Sequence, residues 1–276
     1  MDHYQFTFEK TASEKQEMLI ALLDNIGFEG FEEEEQGLKA FISIDKYDEG
    51  LFNNVVETVA VNYSKSLVKE INWNQRWESG FEPVIIPDPN TNKPFASVRA
   101  NFHSAIEGVP FDLMVTPKMS FGTGHHATTY LMIQQMSLLD FNGKEVIDFG
   151  TGTAVLAILA EKLGASEITA IDNDDWSINN AKENIEANGC SKINIIKEET
   201  IKAGIKADII LANINLNIII ANLEAIKAAC KPATQILFSG IMKKDEEEIT
   251  MVLKEHNFII NNCVIKDNWL IILANG

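Results

Sequence analysis

Three kinds of residue that could hold a small molecule stand where strands of this sequence should end. The apolar run Val146-Ile147-Asp148-Phe149 breaks off into Gly150-Thr151-Gly152, and an alanine-rich helical pattern begins at once. Glycine allows a tight turn and lets ligand atoms approach the main chain. The next strand-like run, "ITAID", ends in Asp172, 22 residues after Gly150. A carboxylate at that strand tip can accept hydrogen bonds from both hydroxyls of a ribose. A third run, "ADIILANI", brings Asn213 to the same edge. Loop, acid and spacing together point to a nucleoside-type ligand. A dinucleotide fingerprint would need glycine at 155, where this chain has Val155, and no Gly-Lys-Ser/Thr follows the loop. Asn213-Ile214-Asn215-Leu216 contains neither proline nor an aromatic residue. A planar nucleobase or amide acceptor is therefore disfavoured, because that segment offers no ring to stack on it. Upstream, Gly122-Thr123-Gly124 forms a second glycine turn, with His125 and His126 at the start of a helix expected near Thr128.

The elements that must position these residues follow from periodicity. Strands and helices alternate from about residue 144, with helices expected at 153–163, 174–188, 216–229 and 243–256. Buried apolar strands between helices specify a parallel sheet covered on both faces. The C-terminal "FIINNCVIKDNWLIILANG" contains two strands meeting at Asp267-Asn268, so the last strand should run antiparallel. The fold class is thus α/β, a doubly wound, mostly parallel seven-stranded sheet. Residues 1–62 read as β-α-β-β-α, the order of a small ferredoxin-like module. Residues 63–76 read as a polar linker and 77–276 as the ligand-binding domain. Trp73, Trp77 and Phe81 are spaced as a packing seam.

Composition narrows the function. The net charge of −17 opposes binding to nucleic acid and favours a basic protein partner. Residues 1–70 hold 15 acidic and 6 basic side chains, so about half of that charge lies in the first quarter of the chain. The run Glu32 to Glu35 reads most simply as a solvated turn. Cys190, Cys230 and Cys263 form no CxxC pair and the histidines no HExxH, so no metal is expected. With no signal-like start and no membrane-length apolar run, a cytoplasmic monomer is expected.

The run "DFGTGTA" resembles the D/E-x-G-x-G-x-G/A loop of class I methyltransferases, which bind S-adenosylmethionine. "FGTGHHATT", "VIDFGTGTAVLAI", "ITAIDND" and "LANINLNI", in this order behind a small acidic module, resemble the bacterial methyltransferases of large-subunit ribosomal protein 11. The resemblance implies methylation of lysine side chains and the α-amine of that protein, recognised by the N-terminal domain. It also implies cofactor contacts at Thr129, Gly150, Asp172 and Asn213, to which the loop adds Gly152. Two departures bear on the acceptor side: the family has Thr-His-Pro-Thr-Thr at 125–129, and Asn-Ile-Leu-Ala at 213–216. A lysine must first lose a proton, and His126 is the one side-chain candidate to take it, solvent being the alternative. Two other readings are an RNA or small-molecule methyltransferase of the same fold and an inactive cofactor-binding interaction protein.

Overall fold

Strict alternation in the first segment produces strand β1 (His3–Glu9), whose Phe6 and Phe8 are fully buried. The computed structural model describes residues 3–9, 11–34, 37–68, 81–116 and 122–276, and the chain divides into Met1–Arg76 and Trp77–Gly276. In the first unit β1 is followed by α1 (Ser13–Asp24), β2 (Gly30–Glu34), β3 (Gly37–Ser43), α2 (Glu49–Val59) and β4 (Ser64–Val68). The sheet order is β2-β3-β1-β4 with every neighbouring pair antiparallel, which is the ferredoxin-like arrangement. Its core is Phe6, Phe8, Phe28 and Phe52 with Leu19, Leu23, Leu38 and Ile42. Asp48 caps α2 by accepting from the N–H groups of Gly50 and Leu51.

Two expectations change here. Residues 64–68 are not linker but the fourth strand. The segment SKSLV is polar because β4 lies at the sheet edge, and the exposed Lys65 sets its ammonium 3.6 Å from the centroid of the partly buried Tyr4 ring. Glu32 to Glu34 are not a turn: they lie in β2 at the opposite edge, where Glu32 pairs with Lys39. Charge on an edge strand discourages pairing with other chains. Glu35, Trp73 and Trp77 lie outside the described residues. Phe81 is buried in the core of the second unit.

The second unit opens with a three-stranded sheet absent from the sequence-based expectation: β5 (Val84–Pro87), β6 (Pro94–Ala100) and β7 (Phe111–Val115), with β6 antiparallel to β5 and parallel to β7. Pro83, Pro87, Pro89 and Pro94 obscured it, since proline inside an apolar run argues against a strand unless it stands at an end or edge. Then come α3 (Ala127–Met136), β8 (Glu145–Phe149), α4 (Val155–Lys162), β9 (Glu167–Asp172), α5 (Asp175–Ala187), β10 (Ile193–Lys197), β11 (Ala207–Asn213), α6 (Leu216–Ala229), β12 (Cys230–Met242), α7 (Glu246–Glu255), β13 (Ile259–Lys266) and β14 (Trp269–Asn275). The large sheet runs β10-β9-β8-β11-β12-β14-β13, and β14 alone runs opposite to the other six strands. Asp267 and Asn268 both take positive φ in the final hairpin, as its two-residue turn requires.

Side chains alternate across this sheet and form a core on each face. Val146, Leu211 and Leu237 pack towards α3 and α4, whereas Ile147, Phe149, Ile210 and Phe238 pack towards α6 and α7. Because both faces are covered, functional side chains must come from the strand ends. Among the described residues no helix is long and apolar enough to cross a membrane, and no group of three or more His, Cys, Asp or Glu could hold a metal.

Candidate functional site

The turn after β8 is built by its own hydrogen bonds. The N–H groups of Gly150 and Thr151 both donate to the Ile171 carbonyl, at 2.8 and 2.9 Å. The Thr151 hydroxyl donates back to Asp148 Oδ2 at 2.6 Å, and the Ala157 N–H donates to the same oxygen at 3.2 Å. Asp148 is buried on the α4 face, and burial raises its carboxyl pKa to about 7, against the opposing pull of these two donors. Gly150 and Gly152 take φ of +77° and +55°. A Cβ on Gly150 would come within 2.1 Å of Ile214 Cγ2. The side chain is therefore excluded there by a protein neighbour, a cause the sequence did not disclose.

Asp172 ends β9. Its Oδ2 accepts from the Gly152 N–H at 2.9 Å and its Oδ1 from the Asp174 N–H at 3.1 Å. It does not cap the next helix; Asp174 does, by accepting from Ser177. A carboxylate has about four acceptor positions, so each Asp172 oxygen can take one further donor. Asp172 lines a cleft of about 360 Å³, together with Gly150, Gly152, Ile171 and Asn213. Asn213 ends β11 and is 8% exposed. Its Nδ2 donates to Thr129 Oγ1 at 3.3 Å, while its Oδ1 is buried with no partner. An orphaned buried acceptor costs stability unless a ligand satisfies it. A nucleoside diol on Asp172 and an N–H donor on Asn213 match this set of acceptors. Thr129 is fully buried and stands behind Asn213, outside the cleft lining.

His126 lines the cleft as the N-cap of α3. Its Nδ1 accepts from the Thr128 N–H at 3.3 Å and lies 2.8 Å from the Thr128 hydroxyl. Burial lowers its pKa, so the ring is neutral near pH 7 and its one lone pair is engaged by the cap. That occupation works against the expected role as a base. His125 is exposed and packs edge-on against Phe81, 4.6 Å between centroids.

Sequence reasoning missed Trp269, Glu198, Glu199 and Gly240, which also line the cleft. Trp269 meets His126 edge-on at 4.7 Å. The expectation that no ring remains to stack on a flat acceptor fails here: the aromatic wall comes from β14, not from the segment after β11. A lone tryptophan beside a hairpin turn carried no signal of this. Glu198 follows β10, and its N–H donates to the Asp172 carbonyl at 2.9 Å. Adding a Cβ to Gly240 would bring it within 2.3 Å of the Ile214 carbonyl.

The family described as ribosomal protein L11 methyltransferase (PrmA) matches residues 4–275. Curated relatives of that name include one from Bacteroides fragilis, 32% identical over 98% of both chains. Another, from Porphyromonas gingivalis, is 35% identical over 95% of this chain and 91% of its own. Among solved structures, a ribosomal protein L11 methylase from Lactobacillus delbrueckii subsp. bulgaricus superposes with a TM-score of 0.62 at 26% identity, covering 69% of this chain and 97% of that one.

Proposed function

Since this chain belongs to the ribosomal protein L11 methyltransferase family, we propose that it methylates amines of ribosomal protein L11, lysine side chains and the α-amine, with S-adenosylmethionine as donor. The observation that carries the reading is Asp172, a residue of the cleft lining held by two backbone N–H groups with acceptor capacity left on both oxygens. Asp172 receives the ribose hydroxyls, Gly150 and Gly152 keep the loop free of side chains, and the unpartnered Asn213 Oδ1 accepts an N–H. Thr129 holds Asn213 in place from behind. The cofactor supplies a methyl group already activated on a sulfonium.

The protein must bring a neutral amine into line and exclude water, which is chiefly a matter of proximity. Trp269 and His126 form an aromatic wall of the cleft that removes water from the incoming amine. Desolvation disfavours the ammonium form of a lysine, whose reference pKa is ~10.4. With the His126 lone pair engaged by Thr128, the released proton passes to solvent. The first unit, Met1–Arg76, is assigned to docking of the basic ribosomal protein, in keeping with the concentration of negative charge in residues 1–70.

Incubation of the protein with methyl-labelled cofactor and a ribosomal lysate tests this directly. Label is expected in the L11 band. Label in RNA alone, or in no macromolecule, overturns the substrate assignment. A chain beginning at Trp77 is expected to bind S-adenosylhomocysteine but to lose methylation of intact L11; unimpaired methylation would remove the docking role from the first unit.

A further inference from the structure

The second glycine turn, Gly122-Thr123-Gly124, delivers the chain to His126, and one residue outside the cleft fixes where it lies. We propose that Thr153 is a positioning residue for methyl transfer, locking this turn, and through it His126, to the loop that carries Gly150 and Gly152. The inference rests on the methyltransferase reading above.

Thr153 is fully buried and does not line the cleft. Its hydroxyl donates to the Gly122 carbonyl at 2.9 Å. Gly122 takes φ of +108°, and a Cβ there would stand 2.4 Å from Thr153 Oγ1. The hydroxyl thus sits in the space a side chain at 122 would need. On the other side, a Cβ on Gly124 would meet Val98 Cγ2 at 3.0 Å. The turn is gripped between the loop after β8 and the three-stranded sheet, and two residues later His126 caps α3 against Trp269.

Thr153 is itself held rigidly. Its carbonyl accepts from Asn184 Nδ2 at 2.9 Å, and Asn184 Oδ1 accepts from the Thr116 N–H at 2.7 Å. Asn184 is fully buried, and its amide also donates to Asn180 Oδ1 at 3.2 Å. Thr116 and Gly122 therefore reach the same threonine from two directions, one through its carbonyl and one through its hydroxyl. Both bonds are shielded from water, so loss of the hydroxyl leaves the Gly122 carbonyl without its donor and frees the turn to shift. A shift of about 1 Å in a wall of the reacting cleft can lower turnover by up to roughly 100-fold.

The test compares Thr153→Val, which keeps the shape and removes the hydroxyl, with Thr153→Ser, which keeps the hydroxyl. In the full-length protein, Thr153→Val is expected to lower kcat for L11 methylation at least roughly tenfold. S-adenosylhomocysteine affinity by calorimetry should change less than about threefold. Thr153→Ser should restore kcat to within about threefold of wild type. The His126 imidazole proton resonances, which feel the Trp269 ring, should move in the valine variant and return in the serine variant. Wild-type kcat in Thr153→Val overturns the proposal. So does a loss confined to cofactor affinity, or a well-folded Thr153→Ser that stays slow. If Thr153→Val does not fold, Thr153→Ala is read against the same outcomes. Wild-type protein that fails to bind S-adenosylhomocysteine would instead sink the methyltransferase reading itself.

Discussion

Gly122-Thr123-Gly124 and Gly150-Thr151-Gly152 are the same tripeptide, each placed just before a helix, and they meet opposite surroundings. The turn at 150–152 follows a central strand, spends two N–H groups on Ile171, and presents a third to Asp172 beside the cleft. The turn at 122–124 is packed on both flanks, by Thr153 and by Val98, and its glycines exist because those neighbours leave no room. Even at 150 the neighbour excluding a side chain is Ile214. A Gly-x-Gly string thus reports a close approach without saying what approaches. At 150–152 the Asp172 carboxylate accepts from the loop, whereas the Gly122 carbonyl meets the Thr153 hydroxyl, and that difference separates a ligand loop from a packing turn.

The largest effect should come from filling the ligand loop. Gly152→Val places a branched side chain at positive φ on the cleft wall, so methyl transfer is expected to fall more than about 100-fold while circular dichroism still shows a folded domain. Near-normal turnover in a folded variant would mean that the loop does not face the cofactor. Asp172→Ala should follow, weakening S-adenosylhomocysteine by about 1.5–3 kcal/mol, roughly 10- to 150-fold, as hydrogen bonds to a charged group are lost. Unchanged affinity in calorimetry would remove Asp172 from the site.

The packing turn should answer in stability and turnover rather than in cofactor affinity. Gly124→Ala forces an L side chain to φ of +85° against Val98, which costs about 1–2 kcal/mol and lowers the melting temperature by roughly 2–8 °C. Cofactor affinity should hold, and a loss of binding without a loss of stability would erase the contrast between the two turns. The remaining effect, in the pH dependence of stability, concerns Asp148 beneath the ligand loop. Its folded pKa, about 7, lies above the unfolded value near ~3.9. The folded state therefore holds its proton while the unfolded state releases it. The stability this group contributes is fully present below about pH 4 and is lost as pH rises to about 7. Asp148→Asn keeps an acceptor for Thr151 and Ala157 and should flatten that decline in denaturant titrations across pH 4–8. An unaltered pH dependence would show that Asp148 ionises normally.

Much of this molecule was legible from local pattern. Alternation and helical periodicity located the strands of the large sheet, the helix at 216–229, the hairpin at Asp267-Asn268 and the tips carrying Gly150, Asp172 and Asn213. These follow from short-range rules, because a buried parallel strand is continuously apolar and a two-residue hairpin needs residues that tolerate positive φ. Polar β4 and proline-bounded β5 and β6 escaped, since an edge or short strand needs no distinctive pattern of its own. Only the tertiary structure decided that Trp269 faces His126 and that Ile214 fills the space at Gly150. Each of these joins residues whose meeting depends on where strands and turns come to rest. Residue type states what a side chain can accept or exclude; the alignment of the ends of β8, β9, β11 and β14 in one sheet determines which partner it is offered.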